Sequence, residues 1–123
     1  MNNLFQIPRS PQGGVTVLTA PDEIDILNAD YLFYSLMSAA RSSSVVVVDM
    51  MATSFCDSTG FQRMILAGDH LRANGGDLRV ACSARMHMLM RITHDDEHLS
   101  VFSGMSEALC PPGCSAPEFA PAA

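Results

Sequence analysis

The sequence predicts an α/β fold, a mixed β-sheet of about four to five strands packed against about four helices. Three observations carry this expectation. Val45-Val46-Val47-Val48 is apolar without alternation, as in a strand buried on both faces. Two stretches, Ala29 to Ala40 and Phe61 to Leu71, repeat apolar residues at steps of three and four, the period of an amphipathic helix. Asn74-Gly75-Gly76 stops the second of these and is followed by the alternating Leu78, Val80 and Cys82.

Taken in order, Leu4 to Ile7 reads as a short strand, and the Pro- and Gly-rich run Pro8 to Gly14 as a turn. Val15-Thr16-Val17-Leu18 is β-branched and alternating, so the two strands form a hairpin. Pro21 ends it, and Asp22, Glu23 and Asp25 place acids where a helix can begin. Ala29, Leu32, Phe33, Leu36, Met37 and Ala40 supply that helix's buried face, and Ser42-Ser43-Ser44 breaks it. After the valine strand, a second helix starts near Ser58 or Thr59, burying Phe61, Met64, Ile65, Gly68 and Leu71. Gly68 costs about 1 kcal/mol of helix propensity relative to Ala, which a close approach to the sheet explains. Ser83 caps a third helix from Ala84 to Ile92 that turns Leu89 and Ile92 inward. His94 to His98 is a charged loop, Leu99 to Phe102 a last strand, and Met105 to Leu109 a final helical turn. The domain is expected to span 1–109. Residues 110–123 form a Pro/Ala-rich tail with little to bury, expected to be disordered.

Composition narrows the function. A 123-residue chain suffices for one domain with its own core. The formal charge of −6 has the wrong sign for direct nucleic-acid binding. No apolar run is long enough to span a membrane, and Met1 to Phe5 lacks a signal peptide's basic start, so the expected compartment is the cytoplasm. There the four cysteines are expected as reduced thiols, and Cys110-Pro-Pro-Gly-Cys114 supplies at most half a zinc site. Neither the nine methionines nor any other feature calls for a cofactor.

Asp57-Ser58-Thr59-Gly60 is the chemically informative segment. A serine at a loop-to-helix junction meets backbone N–H groups and the positive end of the helix dipole. It can cap the helix, act as a nucleophile or accept a phosphate. The nucleophile reading is the weakest. An elbow serine hydrolase wants Gly-x-Ser-x-Gly, and Cys56 stands at the first glycine. His70 lies about 18 Å along the helix from Ser58, while His87, His94 and His98 remain as possible bases. An aspartic protease needs Asp-Thr/Ser-Gly contiguously and in two copies. His94 and His98 lack a third metal ligand, and a chain without lysine has no P-loop. As a cap, Thr59 with Gln62 fits a capping box, with Ser58 or Asp57 as alternatives.

The wider frame favours the phosphate. The segment from Leu18 to Leu109 resembles the STAS domain, and within it the bacterial anti-sigma-factor antagonists. Asp22-Glu23-Ile24-Asp25 and the helix start at Leu27 to Leu32 are similar to that family's Gly-Glu-Leu/Ile-Asp segment. Phe55 to Gly60 is similar to its Asp-Ser-Ser/Thr-Gly phosphorylation loop, and Asn74 to Leu78 to its Gly-Gly turn. Pro21-Asp22 replaces the usual small residue and Gly, and the end from Cys110 has no counterpart. The resemblance implies that Ser58 is the phosphoacceptor, that Asp57 shapes its loop, and that Thr59 caps the helix or lies beside the acceptor. It implies that Asp25, Asp57, Ser58, Thr59 and Gly60 face a partner, an anti-sigma factor that is also a serine kinase. A serine phosphatase would restore the unmodified form. Such a protein is a substrate and a binder, not an enzyme, with no membrane or nucleic-acid partner. A second implied role is a non-phosphorylated scaffold or transport accessory subunit.

Overall fold

The computed structural model describes residues 14–110. Along them run β1 (Val15–Thr19), β2 (Glu23–Ile24), α1 (Ala29–Ala40), β3 (Val45–Met50), β4 (Phe55–Cys56) and α2 (Ser58–Ala73). Then follow β5 (Asp77–Cys82), α3 (Ala84–Ile92), a 3-10 turn (Asp95–His98), β6 (Ser100–Phe102) and α4 (Met105–Ala108). β1, β3, β5 and β6 form one sheet in that order, and β2 and β4 form a second, two-stranded one. Every pairing is parallel. Parallel neighbours need a crossover, and α1, α2 and α3 are those crossovers. The α/β architecture expected from the sequence is therefore present. The strand at Leu4 to Ile7, with most of its turn, lies outside the described residues, as do positions 111–123 of the tail.

The unalternating valines have a plain cause. Val46, Val48 and Met50 join the core that packs under α1, α2 and α3. Val45 and Val47 point the other way, into a smaller cluster with Ala81, Phe102 and Ala108 of α4. Period-2 geometry sends alternate side chains to opposite faces, and both faces are covered. Burying a valine is worth about 1.5–3 kcal/mol over leaving it exposed.

The stop after α2 is built as its residues dictate. Gly75 takes φ +83. The Gly76 amide reaches back to Leu71 O at 2.8 Å and the Gly75 amide to Arg72 O at 3.1 Å. These two bonds form a Schellman motif, open to glycine because it tolerates the left-handed region. The Asp77 amide then donates to Ser44 O at 2.8 Å and starts β5 beside β3. Gly68 packs on the sheet at ordinary distance: a Cβ there would sit 3.5 Å from Leu78 of β5, and 3.2 Å from the Arg72 guanidinium of its own helix.

Four expectations are corrected. The first helix does not start among the acids, because Glu23 and Ile24 pair with β4 and residues 25–28 turn. Ile92 is not inward but 70% exposed, and α3 buries Met86, His87 and Met90 instead. With apolar residues on both sides of this helix, periodicity alone could not choose its face. His94–His98 is not an open loop, since its last four residues close a 3-10 turn after His94 at φ 65. Finally, Cys110 is disulfide-bonded, while Cys56 and Cys82 are free and buried.

Candidate functional site

The site is assembled where β4 runs into α2. Asp57 is extended, and its Oδ1 accepts the Gly60 amide at 3.0 Å. Its carbonyl accepts the Phe61 amide at 3.2 Å. Asp57 is therefore the cap, and the Thr59–Gln62 box does not form. The next two amides, of Ser58 and Thr59, meet no acceptor among the described residues. They leave α2 with an open, electropositive end. Ser58 is exposed there and its hydroxyl makes no hydrogen bond among the described residues, while Thr59 is half-buried.

Gly60 is a glycine for want of space. A Cβ would stand 2.6 Å from Ile24 Cγ2 and 2.7 Å from Cys56 Sγ. The first turn of α2 thus lies directly on the β2–β4 ladder. That ladder pairs Glu23 with Phe55 and Ile24 with Cys56, and the Asp57 amide extends it to Ile24 O at 3.0 Å. Ser54 adds three bonds to Asp22, from its amide to the carbonyl at 2.8 Å and from Oγ to Oδ1 at 2.9 Å and to the carbonyl at 3.3 Å. Asp25 and Asp57 therefore follow matched positions of adjacent parallel strands, which run about 5 Å apart.

The Asp25 loop is tied within itself. Asp25 Oδ1 accepts the Leu27 amide at 2.9 Å, and the Asp25 amide donates to Asn28 Oδ1 at 3.0 Å. Asn28 Nδ2 donates to Glu23 O at 2.9 Å. Ile26 and Leu27, 72% and 90% exposed, are held out on this rigid loop. Sequence reasoning found Asp25 but missed Asn28. The available signal was an Asp and an Asn three residues apart, the residue types that fold local turns through their own side chains. It also missed the apolar rim of Ile26, Leu27 and Phe55.

The chemistry open to this site is limited. Ser58 has no histidine hydrogen-bonded to it among the described residues; His94 Nδ1 lies 3.0 Å from Glu97, and His87 Nε2 lies 3.5 Å from Asp96. Burial, and then the nearby charges of Asp57 and Asp95, push the Cys56 thiol far up, so it stays protonated. Among the described residues no three His, Cys, Asp or Glu side chains cluster as metal ligands. The arrangement offers an accessible hydroxyl, free amides and an apolar rim, which suit a modified or recognised surface.

The fold has counterparts among known proteins. No curated protein sequence is similar enough to the chain to count as a relative. Among solved structures, an anti-sigma factor antagonist from Mycobacterium paratuberculosis superposes with TM-score 0.74 at 20% identity, over 85% of this chain and 89% of that one. The Bacillus cell-fate determinant SpoIIAA in its phosphorylated form gives 0.64 at 17% identity, over 85% and 96%. The murine anion transporter Slc26a9 contains the fold too: TM-score 0.56 at 17% identity, over 79% of this chain and 17% of the transporter. The model of the STAS domain matches residues 7–108, and the chain belongs to the STAS domain family.

Proposed function

We propose that this protein is an anti-sigma factor antagonist. Unphosphorylated, it binds an anti-sigma factor that is also a serine kinase and so frees a sigma factor; phosphorylation of Ser58 ends the complex, and a serine phosphatase restores it. The observation that carries the reading is Ser58 itself, exposed and without a hydrogen bond among the described residues, at the open end of α2 beside the tethered Asp25 loop. The names of two proteins with the same fold, an anti-sigma factor antagonist and a phosphorylated SpoIIAA, support it. Asp57 shapes the loop, Asp25 and Thr59 flank the acceptor, and Gly60 lets the helix sit on the ladder. The chain acts as substrate and binder in the cytoplasm. Among the described residues no helix is long and apolar enough to cross a membrane.

The energetics fit a switch at the interface rather than in the fold. Phosphate adds about −1.5 to −2 charges. At the start of a helix this is favourable by roughly 0.3 to 2 kcal/mol, so the domain stays folded. Two charges about 5 Å from a partner carboxylate repel by about 6 kcal/mol at an effective dielectric of 20, before screening. A hundredfold loss of affinity needs only about 2.7 kcal/mol. The test is to identify the kinase by capture on the Ser58→Ala chain, then titrate it purified. Ser58→Ala should bind and Ser58→Asp should not; equal binding of both ends the proposal.

A second reading is an unphosphorylated scaffold or transport accessory, which the presence of this fold inside Slc26a9 favours. It predicts co-purification of a transporter subunit and no phosphate on Ser58 after incubation with the kinase.

A further inference from the structure

Leu27 is the most exposed large apolar side chain among the described residues, at 90%, and its neighbour Ile26 is 72% exposed. Leu27 stands directly before Asn28, the N-cap of α1. An apolar residue at that place ordinarily folds over the fourth residue of the helix as a hydrophobic staple. The fourth residue here is Leu32, wholly buried in the core, while Leu27 stays in solvent, so the staple does not form. The pair is nonetheless fixed in place. The Leu27 amide donates to Asp25 Oδ1 at 2.9 Å, and the amides of Asn28 and Ala29 donate to Asp25 O at 3.1 and 2.9 Å. Asn28 closes the other side, through the Asp25 amide and Glu23 O. Side chains on a loop already ordered lose little further freedom when a partner covers them.

Their position decides which partner that is. Asp25 and Asp57 follow matched residues of parallel strands about 5 Å apart. Ser58 is one residue past Asp57, and Leu27 is two past Asp25 inside a turn, so their Cα atoms stand within about 16 Å of each other. An interface of standard size covers about 800 Å² of each protein, a patch roughly 16 Å in radius. A kinase must bring its phosphate donor to Ser58 Oγ, and a patch of that size centred there takes in Leu27. We infer that Ile26 and Leu27 are the apolar anchor by which the proposed serine kinase holds this chain, seated in an apolar pocket beside the kinase's phosphate-delivering site. The inference rests on the proposed kinase partner and names the residues that set its recognition. Glu23 and Asp30, exposed acids on either side in the chain, supply the polar rim that surrounds an apolar centre in such contacts. Asp25 and Asn28 act as positioning residues for the anchor. Recognition and release are then carried by different side chains, the anchor and Ser58.

The test follows phosphorylation of Ser58 by the purified kinase, read by intact mass. Ile26→Ser with Leu27→Ser should raise KM at least tenfold and leave kcat within twofold, because an anchor binds ground state and transition state alike. Leu27→Met keeps the apolar bulk and should hold KM within threefold of wild type. The same serine pair, placed in the Ser58→Ala chain, should weaken binding of the kinase by a similar factor. The urea midpoint of the double variant should match wild type, since both positions are exposed and the Leu27 amide is kept. A smaller rise in KM, a fall in kcat in its place, or a lowered midpoint overturns the inference. A photo-crosslinker at position 27 should mark the kinase; marks only on a second copy of this chain overturn it as well. The wild-type reaction separates the two claims. If Ser58 is phosphorylated and the serine pair leaves KM unchanged, the switch stands and the anchor fails. If the kinase leaves wild-type Ser58 without phosphate, both fail.

Discussion

The amide of Asp57 donates to the carbonyl of Ile24 at 3.0 Å, and this bond joins the two loops of the site. It extends a two-stranded ladder that has only two residues on each side. Through it the start of α2 is held against the Asp25 loop rather than left to find its own place.

The Asp57 side chain has a separate task, capping through Gly60 at 3.0 Å. Asp57→Ala keeps the backbone bond and loses the cap. It should cost about 1 kcal/mol, within the 0.5–2 range for such losses, read as a lower urea midpoint at unchanged slope. Asp57→Asn, an equally good cap, should stay within a few tenths of a kcal/mol of wild type.

Gly60→Ala places a methyl 2.6 Å from Ile24 Cγ2 and 2.7 Å from Cys56 Sγ. Overpacking of this kind costs about 1–3 kcal/mol. Cys56→Ala removes one of the two clashing atoms, so the double variant should be more stable than the sum of the single effects predicts. Strict additivity in denaturant titrations would show that the close approach is not the cause.

His87 makes stability depend on pH. Burial holds its imidazole below the ordinary value, while Asp96 at 3.5 Å pulls the other way by less. The unfolded ring takes a proton near pH 6.5, the folded one only at lower pH. The unfolded state thus binds more protons, and stability is full above about pH 6.5 and is lost as pH falls below it. Asp96→Asn removes the opposing charge and should steepen the loss. His87→Gln should flatten it between pH 7 and 5. A slope unchanged by either variant would contradict this.

The free thiols should be silent. Burial pushes Cys82 up to about 12 and Cys56 further still. At pH 8, iodoacetamide should leave both unmodified in the native chain and alkylate both in urea, by intact mass.

The main elements were legible because each left a pattern of its own. Four valines without alternation meant a strand covered on both sides, and Asn74-Gly75-Gly76 meant a helix stop. The β2–β4 ladder left none, since two-residue strands are shorter than any period. That gap hid what brings Asp25 beside Asp57, although both residues were singled out. Asp57, Ser58 and Thr59 are all good caps, so only the backbone path decided that Asp57 is the one. Ile92 was misplaced because α3 is apolar on two faces, and the second face is visible only once the first is packed.

The central claim is that Ser58 carries the switch. Its most direct test is the affinity of the purified kinase partner for the unmodified chain and for the chain phosphorylated at Ser58, with thermal melting of both forms alongside. The account predicts at least a hundredfold weaker binding of the phosphorylated form, with a melting temperature no lower than that of the unmodified chain. Equal affinities, or a loss of binding explained by unfolding, would contradict it.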